Sequence, residues 1–484
     1  MFNKAKLKLF NLFKSINYKN IIYVLMIFFV LASSMIFGEV NNSNVTNAFG
    51  RNFSYTSTFI FYFIILSSFI ATIYIAYINK IIKLNKRIII FIFIGIITIT
   101  YMGLVVFLTD YSHLFINNSN KITNLDKIKS LMDVSLSVFM AFILMHEVPR
   151  FKEKDLAIRI FCYMFIIFSL VMIIYSLNTE FHKYVTIIKH PTFFTKYEYG
   201  IQNGLQCLSF FKYGNVYGHV LFLLSLVILL LSISYNCRYI FLFNIIVGIF
   251  IIFSGSRSSF LGFVILLISY GINYLIYLYR KNKVIFYIII ILLIFLFFLI
   301  TIDAFYFNNI TIKEAIIKSD GSKEIIQYSI LDLAKKCFNY MKSRLTIFDN
   351  ARNNFILTDY IFGIGYNIND LYSRTFDSSF FNYHNGYIEV FTSGGIYLSL
   401  LYLFLLGYII YNNFKINKNK STYKNYLLII LAPYLVYQLS EAFPFLFNVF
   451  GGGIMAILLI MVPFNQVIDE DKISNIRNLF IKVR

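Results

Sequence analysis

Long runs of apolar residues alternate with short polar segments along most of the chain. A run of about 20 apolar residues is enough for an α-helix to cross the hydrocarbon core of a membrane. The run at 131–145 is short for a span. The pattern predicts an all-α polytopic membrane protein of about 12 transmembrane helices, at residues 21–38, 57–78, 88–108, 131–145, 160–177, 215–234, 239–253, 259–278, 284–302, 387–412, 426–443 and 445–463.

The composition supports this class and excludes several others. Hydrophobic residues make up 59% of the 484 residues and charged residues 14%, with a mean hydropathy of +0.71. Soluble domains are about half apolar and about a quarter charged, so a soluble globular enzyme and a disordered chain are excluded. The 4 cysteines include no Cys-x-x-Cys pair, which argues against a zinc ribbon or a thiol redox centre.

The basic residues predict the orientation of the spans. The net charge of +20 indicates loops that face an anionic inner leaflet rather than a nucleic acid. The positive-inside rule predicts that both termini are cytoplasmic. We expect residues 1–38 to contain an uncleaved first helix rather than a signal peptide. Lys and Arg are densest in the segments predicted to lie inside, such as 4–19, 80–87, 150–159, 280–283 and 415–424.

This orientation divides the chain into four predicted regions. They are transmembrane helices 1–9 at 1–302, a large extracytoplasmic loop at 303–386, transmembrane helices 10–12 at 387–463 and a cytoplasmic tail at 464–484.

The large loop contains a pattern that is typical of an amphipathic helix. Apolar residues recur there at helical spacing, at Ile326, Ile330, Leu333 and Cys337. We expect a helix that either lies on the outer membrane surface or packs against the ends of the spans. The residues alone do not separate these two arrangements.

Ionisable residues in or beside a span are costly, so each is a functional candidate. Arg257 lies in the turn Ser254–Ser259 between two predicted spans. His384 and Asn385 end the large loop, and Glu389 lies one turn inside the tenth span. All of these positions are predicted to lie at the outer membrane face.

Two further arginines lie on a predicted helix of the large loop. Arg344 and Arg352 are eight residues apart, just over two helical turns, so their guanidinium groups can face one side. Guanidinium is a planar fork of donors that suits phosphate oxygens. A histidine can take a proton from a sugar hydroxyl near neutral pH. Arginines near a histidine therefore favour a lipid-linked phosphate or diphosphate as ligand, without a metal or another cofactor.

Each of these residues also has a purely structural interpretation. A basic residue beside a span often anchors the helix at the interface, and a glycine often forms an ordinary turn. Asp469-Glu470-Asp471 has the form of a metal-binding Asp-x-Asp motif, but it lies in the predicted solvated tail. His182 and His190 have no carboxylate or cysteine at metal spacing, so we assign no metal site.

Several of these segments, taken in order, resemble the O-antigen ligase and O-antigen polymerase superfamily. The Ser254–Ser259 turn, Gly363-Ile364-Gly365-Tyr366-Asn367 and His384–Glu389 resemble its motifs, and Gly395 occupies the glycine position that follows its His-Asn pair. Ser343–Phe348 looks like the family's arginine-bearing helix, and Gly214-Asn215 looks like its Pro-Asn. Leu398 departs from the small or hydroxylated residue of the ligase-specific pattern.

The resemblance implies a metal-independent glycosyltransferase with a membrane fold of the C type in the bacterial inner membrane. Its donor would be an undecaprenyl-diphosphate-linked glycan and its acceptor a glycan or a lipid. By position, His384 would be the base that activates the acceptor hydroxyl, and Arg257 and Arg344 would hold the diphosphate with help from Arg352. Supporting roles would fall to Gly363, Gly365, Asn385, Glu389 and Asn215.

Three functions remain open at this level. A polymerase would join lipid-linked repeat units into a longer chain, and Leu398 favours this enzyme slightly. A ligase would move a finished glycan onto lipid A–core or another acceptor. A flippase would be expected to show internal repeats with interrupted spans in matching positions, and the two halves of this chain differ sharply in loop length.

Overall fold

A computed structural model provides the structure of the protein. The predicted spans 21–38, 57–78 and 445–463 lie outside the described residues, as does most of 131–145. The structure describes residues 86–114, 154–189, 206–209, 214–234, 238–302, 311–317, 323–329, 352–365, 385–416, 424–439 and 441, parts of 122–135, and single residues or pairs elsewhere in 332–372.

Helices occupy the described parts of the predicted spans, except that Leu439 and Glu441, inside the predicted span 426–443, form a turn and a bend. Short 3-10 turns at Arg238–Leu242 and Arg352–Asn354 precede two of these helices. The α-helices are α1 (Lys86–Leu108), α2 (Lys154–Thr179), α3 (Phe181–Lys189), α4 (Gly214–Ser234), α5 (Phe243–Ser254), α6 (Arg257–Lys281), α7 (Lys283–Ile302), α8 (Leu357–Phe362), α9 (Gly386–Ile416) and α10 (Lys424–Gln438).

Four helical stretches among the described residues are long and apolar enough to cross a membrane. They lie in α2, α4, α6 and α9, at Cys162–Thr179, Gly214–Ser232, Arg257–Lys281 and Gly386–Gly407. Large apolar side chains on α7, such as Ile291 and Phe298, are exposed on the protein surface. Such a surface suits hydrocarbon rather than water, and these helices make the chain a multi-pass membrane protein.

The centre of the described fold is α4. This helix is apolar on every side, and a helix of that kind is buried: Leu221, Leu226 and Val227 are completely inaccessible. It contacts α2, α5 and α6. Helix α6 in turn packs against α10, and α9 packs against both α10 and the short helix α8. These contacts bring the N-termini of α4, α6 and α9 to the same end of the bundle as the C-termini of α5 and α10.

The large loop contains a β-hairpin, which the all-α prediction did not include. Strand β1 (Thr311–Ile317) pairs antiparallel with β2 (Lys323–Ser329), and Glu314 lies opposite Ile326. The amphipathic helix expected to begin at Ile326 is therefore wrong for this segment. Both strands carry pairs of adjacent isoleucines, which favour extended structure because β-branched side chains pack well on a pleated sheet. Ile330, Leu333 and Cys337 lie outside the described residues.

Candidate functional site

The tight turn between α5 and α6 contains Arg257. Gly255 ends α5 in the left-handed region with φ +66°, which glycine adopts without strain. The Ser254 hydroxyl donates to Ile251 O at 2.7 Å and accepts from Ser256 N at 3.2 Å. These bonds reverse the chain within two residues, so that α6 begins directly beside the end of α5.

Ser256 caps the N-terminus of α6. Its backbone is extended, and its Oγ accepts from Ser259 N at 3.4 Å and lies 2.8 Å from Ser259 Oγ. Arg257 is therefore the first helical residue, and it is half-buried. The N-terminus of a helix carries partial positive charge, and an arginine there adds a full charge, so this position favours an anion.

Two glycines let α4 lie directly on this turn. A Cβ atom at Gly218 would clash with Ser256 Cβ and stand 2.6 Å from Ser254 Oγ. A Cβ atom at Gly214 would clash with Ser254 O and stand 3.0 Å from Gln206 Oε1. Real Cβ contacts essentially never fall below 3.0 Å, so the close approach requires glycine. Asn215, a predicted supporting residue, follows Gly214 in the first turn of α4 and is half-buried.

The segment 206–209 covers the other side of the turn. Cys207 N donates to Phe253 O at 3.1 Å, and the side chain of Gln206 packs over Gly255, where an added Cβ would stand 2.9 Å from Gln206 Nε2. Cys207 is a free thiol with no accessible surface. Burial, followed by the negative charge of Glu180, raises the pKa of the Cys207 thiol to about 12.

Glu180 holds the segment 206–209 in place. This carboxylate lies at the break between α2 and α3 and is 7% exposed. Its Oε2 accepts from Leu208 N and from Ser209 N, each at 2.9 Å. Lys183 Nζ lies 2.8 Å from Glu180 Oε1 and 3.3 Å from Gln206 O. A buried carboxylate is stable only when it is paired and hydrogen-bonded, and Glu180 satisfies both conditions.

A buried carboxylate also contacts the first turn of α6. Ser258 Oγ donates to Glu441 Oε1 at 3.0 Å, and Glu441 is 4% exposed. Glu441 lies near the end of the predicted span 426–443 and is not among the candidate residues taken from the sequence. The available signal was its ionisable side chain between two apolar runs; its partner lies 183 residues earlier in the chain.

Asn385 caps the N-terminus of α9. Its Oδ1 accepts from Tyr387 N at 3.0 Å and Ile388 N at 3.1 Å, and its Nδ2 donates to Leu439 O at 3.1 Å. These bonds fix the residue that follows His384, whereas His384 itself lies outside the described residues. Glu389, one turn further on, is 1% exposed.

The Gly363–Gly365 segment, which we call the strap, lies against a break in α9. Gly394 and Gly395 interrupt the helix with non-helical backbone angles. The carbonyls of Thr392 and Ser393 accept from Ile364 N and Gly365 N, each at 2.9 Å.

Glycine is needed on both sides of this contact. Gly363 and Gly395 have φ values of +79° and +61°. A Cβ at Gly363 would stand 2.5 Å from Gly394 N, and one at Gly395 would clash with Ile361 O. The strap and the break therefore fit together only because neither backbone carries a side chain at the contact. Leu398, the residue that departs from the ligase pattern, is fully buried against Gly394.

The loop arginines are not both described. Arg344 lies outside the described residues. Arg352 forms part of the 3-10 turn before α8, where its Nε lies 3.3 Å from Asp349 Oδ1, and both side chains are about half exposed, at 54% and 50%. Such a surface pair is weak, so it leaves the guanidinium able to exchange Asp349 for another anion.

Over the described part of the chain, no group of three or more His, Cys, Asp or Glu residues could hold a metal ion. The described bonds thus assemble two neighbouring sets of residues. One consists of the Arg257 turn with α4, the segment 206–209 and Glu441. The other consists of Asn385 with the strap and the break in α9.

Comparison with known protein families identifies residues 242–403 as a match to the family model described as O-antigen ligase. The matched range includes the Arg257 turn, the strap, Asn385 and Glu389. This confirms the resemblance to the O-antigen ligase and polymerase superfamily and indicates a membrane enzyme of the O-antigen ligase type. Comparisons with curated proteins and with solved structures found no match.

Proposed function

We propose that this chain, which carries the O-antigen ligase domain at residues 242–403, transfers an undecaprenyl-diphosphate-linked glycan to a sugar hydroxyl at the outer membrane face. The single observation that carries the proposal is the Ser256-capped turn that places Arg257 at the N-terminus of α6. The family match supports glycosyl transfer, and the turn supports an anionic donor.

Arg257 would bind the diphosphate of the donor. Its guanidinium offers two parallel donors to phosphate oxygens, and the first turn of α6 adds its partial positive charge. Three elements hold this turn, since α4 packs on it, Gln206 covers Gly255 and Glu441 accepts from Ser258. A rigid cation of this kind stabilises charge that develops during the reaction without reorganising. Arg344 and Arg352 would add to the same anion site.

His384 would act as the base. Its neighbour Asn385 is anchored through three hydrogen bonds to α9 and Leu439, so the residue that directly follows the proposed base is held in place. The acceptor hydroxyl oxygen would attack the anomeric carbon while its proton passes to His384. The bond between that carbon and the diphosphate oxygen would break, and undecaprenyl diphosphate would leave with its new negative charge held by the arginines.

The acceptor distinguishes two forms of this activity. Polymerisation uses a second lipid-linked glycan as acceptor, and the buried Leu398, where the ligase pattern has a small or hydroxylated residue, favours it. Ligation uses lipid A–core or another acceptor, and the description of the matching family as O-antigen ligase favours it. We take polymerisation as the primary proposal and ligation as the second.

The test is transfer by the purified protein in detergent, with an undecaprenyl-diphosphate-linked glycan and no other acceptor. A ladder of longer lipid-linked products, absent in His384→Ala, would establish a polymerase. Release of undecaprenyl diphosphate only after another acceptor is added would establish a ligase. His182→Ala is the matched control, because His182 is exposed on α3.

Two outcomes would contradict the proposal. Absence of transfer with either acceptor would favour the flippase alternative. Loss of transfer in EDTA, restored by a divalent ion, would overturn the metal-independent chemistry, which depends on arginine alone to stabilise the leaving group.

A further inference from the structure

A histidine near the end of α1 pairs with a buried carboxylate far away in the sequence. His113 Nε2 lies 2.7 Å from Asp359 Oδ2, across a separation of 246 residues. The side chain of His113 is 21% exposed and that of Asp359 only 1%. A buried carboxylate is costly unless it is paired, so Asp359 depends on His113 in a way that an exposed aspartate would not.

The chain around His113 is itself fixed. Tyr111 OH donates to Val106 O at 3.1 Å, and Leu114 N donates to Tyr111 O at 3.0 Å. The side chains of Val106, Tyr111 and Leu114 form one buried cluster with Ile364 of the strap. His113 is therefore held by the end of α1 and does not follow α8 passively.

Asp359 fixes both ends of α8. Its Oδ2 also accepts from Ile356 N at 3.0 Å, before the first residue of the helix, and its backbone carbonyl accepts from Gly363 N at 2.9 Å, after the last. Gly363 is the first residue of the strap. The pair between His113 and Asp359 thus fixes the position of the strap relative to α1.

A second bond from α1 reaches the same place. The Tyr101 hydroxyl lies 3.0 Å from Phe362 O and 3.2 Å from Gly394 O, so its single proton bridges the end of α8 and the break in α9. From the break, Thr392 Oγ1 donates to Ile388 O at 2.9 Å, and Glu389 N donates to Asn385 O at 2.9 Å. The hydrogen bonds continue in this way to the residue that follows His384.

We infer that His113 and Asp359 are positioning residues for the proposed transfer, acting through the strap on the Asn385 end of α9. The inference rests on the proposed function. Because Gly394 and Gly395 interrupt α9, the part of the helix that carries Asn385 is not held by the rest of α9 alone. Its orientation depends on the strap, and the strap depends on Asp359.

This arrangement predicts a specific kinetic signature. The Arg257 turn is held by α4, Gln206 and Glu441, none of which belongs to the strap. Loss of the pair should displace the base without disturbing Arg257, the centre of the proposed donor site. A displacement of about 1 Å can reduce the rate about 100-fold, so kcat should fall while KM for the donor stays unchanged.

The experiment compares His113→Ala, His113→Gln, Asp359→Asn and the exchanged double variant His113→Asp/Asp359→His in the full-length protein. We measure kcat and donor KM, with the folded fraction taken from size-exclusion chromatography in detergent. The single variant His113→Ala should lose at least about tenfold in kcat at constant donor KM, and Asp359→Asn, which keeps an acceptor oxygen but loses the charge, should lose less. His113→Gln, which keeps a donor, should recover most of it. The exchanged pair should recover only the part that does not depend on the bond from Ile356 N to the Asp359 carboxylate.

The matched control is Asp126→Asn. Asp126 is another aspartate at a helix start near α1, where its Oδ2 accepts from Thr123 N at 2.9 Å, and it has no described bond to the strap. Its kcat should match that of the wild type. A similar loss in this control would show that any weakened helix start lowers activity, and would overturn the inference.

Other outcomes separate the inference from the proposed function. Normal kcat in His113→Ala and Asp359→Asn, with His384→Ala inactive, would overturn the inference alone. A higher donor KM at constant kcat would also overturn it, by placing the pair at the donor. If His113→Gln were as inactive as His384→Ala, the result would indicate that His113 itself accepts the proton, and the positioning role would be overturned. Absence of transfer in the wild type would remove the proposed function, and the inference with it.

Discussion

The hydroxyl of Ser258 donates to the buried carboxylate of Glu441 at 3.0 Å. This bond joins the first turn of α6, which begins with Arg257, to the chain that follows α10. Negative charge near the N-terminus of a helix is stabilising because it is attracted to the partial positive charge at that end of the helix dipole. Glu441 therefore supports the same turn that we propose as the diphosphate site.

Removal of the Glu441 side chain should destabilise this turn. Glu441→Ala leaves the buried Ser258 hydroxyl without this acceptor, which costs about 1–3 kcal/mol. Glu441→Gln keeps an acceptor oxygen but loses the charge, so its effect should be smaller. The measurement is the midpoint of thermal unfolding in detergent. Equal midpoints for the wild type and Glu441→Ala would show that the bond contributes little.

The close packing of α4 on the turn gives a second prediction. Gly218→Ala places a Cβ against Ser256 and Ser254, and overpacking of this kind costs about 1–3 kcal/mol. Gly271→Ala is the matched control in α6, because no atom lies within 4 Å of a Cβ at that position. Gly271→Ala should leave the midpoint of unfolding unchanged or raise it, whereas Gly218→Ala should lower both the midpoint and the affinity for the donor. Unchanged donor affinity in a destabilised Gly218→Ala would separate the packing from the proposed site.

Local sequence patterns were sufficient to predict most of the helices. The apolar run at 88–108 corresponds to the helix Lys86–Leu108, and the run at 259–278 corresponds to the helix Arg257–Lys281. Such agreement is expected because the length and apolarity of a span are properties of contiguous residues. The hairpin was not predicted, since strands as short as Lys323–Ser329 contain too few residues to separate the two periodicities. Helix α9 begins directly after Asn385, close to the predicted junction between the large loop and the tenth span. The break at Gly394 was not predicted, because it lies inside an apolar run.

The contacts that assemble the candidate site were less accessible from the sequence. Ser258 and Glu441 are 183 residues apart, and His113 and Asp359 are 246 apart. No periodicity or local propensity links residues at such distances. His113 follows the predicted span 88–108 with no partner that the sequence indicates, and its pairing with Asp359 is evident only in the structure. The predicted roles of His384 and Arg344, which lie outside the described residues, stay predictions.

The break in α9 should tolerate no side chain. Gly395 has a φ of +61°, and a Cβ there would clash with Ile361 O and stand 2.7 Å from Phe362 N. Gly395→Ala must therefore separate the strap from α9 in addition to straining the backbone, which alone costs about 1–3 kcal/mol. Gly407→Ala in the same helix meets no atom within 4 Å and is the control. Thermal unfolding checks the first effect, and a normal kcat in folded Gly395→Ala would argue that the strap does not position the base.

The buried thiol of Cys207 gives a prediction about pH. Its pKa is raised from 9.0 to about 12, chiefly by burial, and only the thiolate reacts readily with maleimides. A variant with Cys207 as its single cysteine should resist labelling in detergent at pH 8 and label fully once unfolded in SDS. A cysteine introduced at the exposed His182 is the control and should label at once. Because the pKa of this thiol is higher in the folded state than in the unfolded chain, the neutral thiol contributes fully to the free energy of unfolding below pH 9. This contribution declines as the pH rises toward 12. Rapid labelling of folded Cys207 at pH 8 would contradict the packing of the segment 206–209.

The proposed diphosphate site makes its sharpest prediction at Arg257. Arg257→Lys keeps the charge at the N-terminus of α6 but replaces a planar fork with a single ammonium, so bidentate binding of phosphate oxygens is lost. We expect kcat/KM for the lipid-linked donor to fall at least about tenfold, which corresponds to about 1.4 kcal/mol. Arg280→Lys is the matched control, because Arg280 is an exposed arginine in the last turn of the same helix. Equal turnover in Arg257→Lys, Arg280→Lys and the wild type would show that Arg257 contributes only charge or anchoring, and the diphosphate would then have to bind elsewhere.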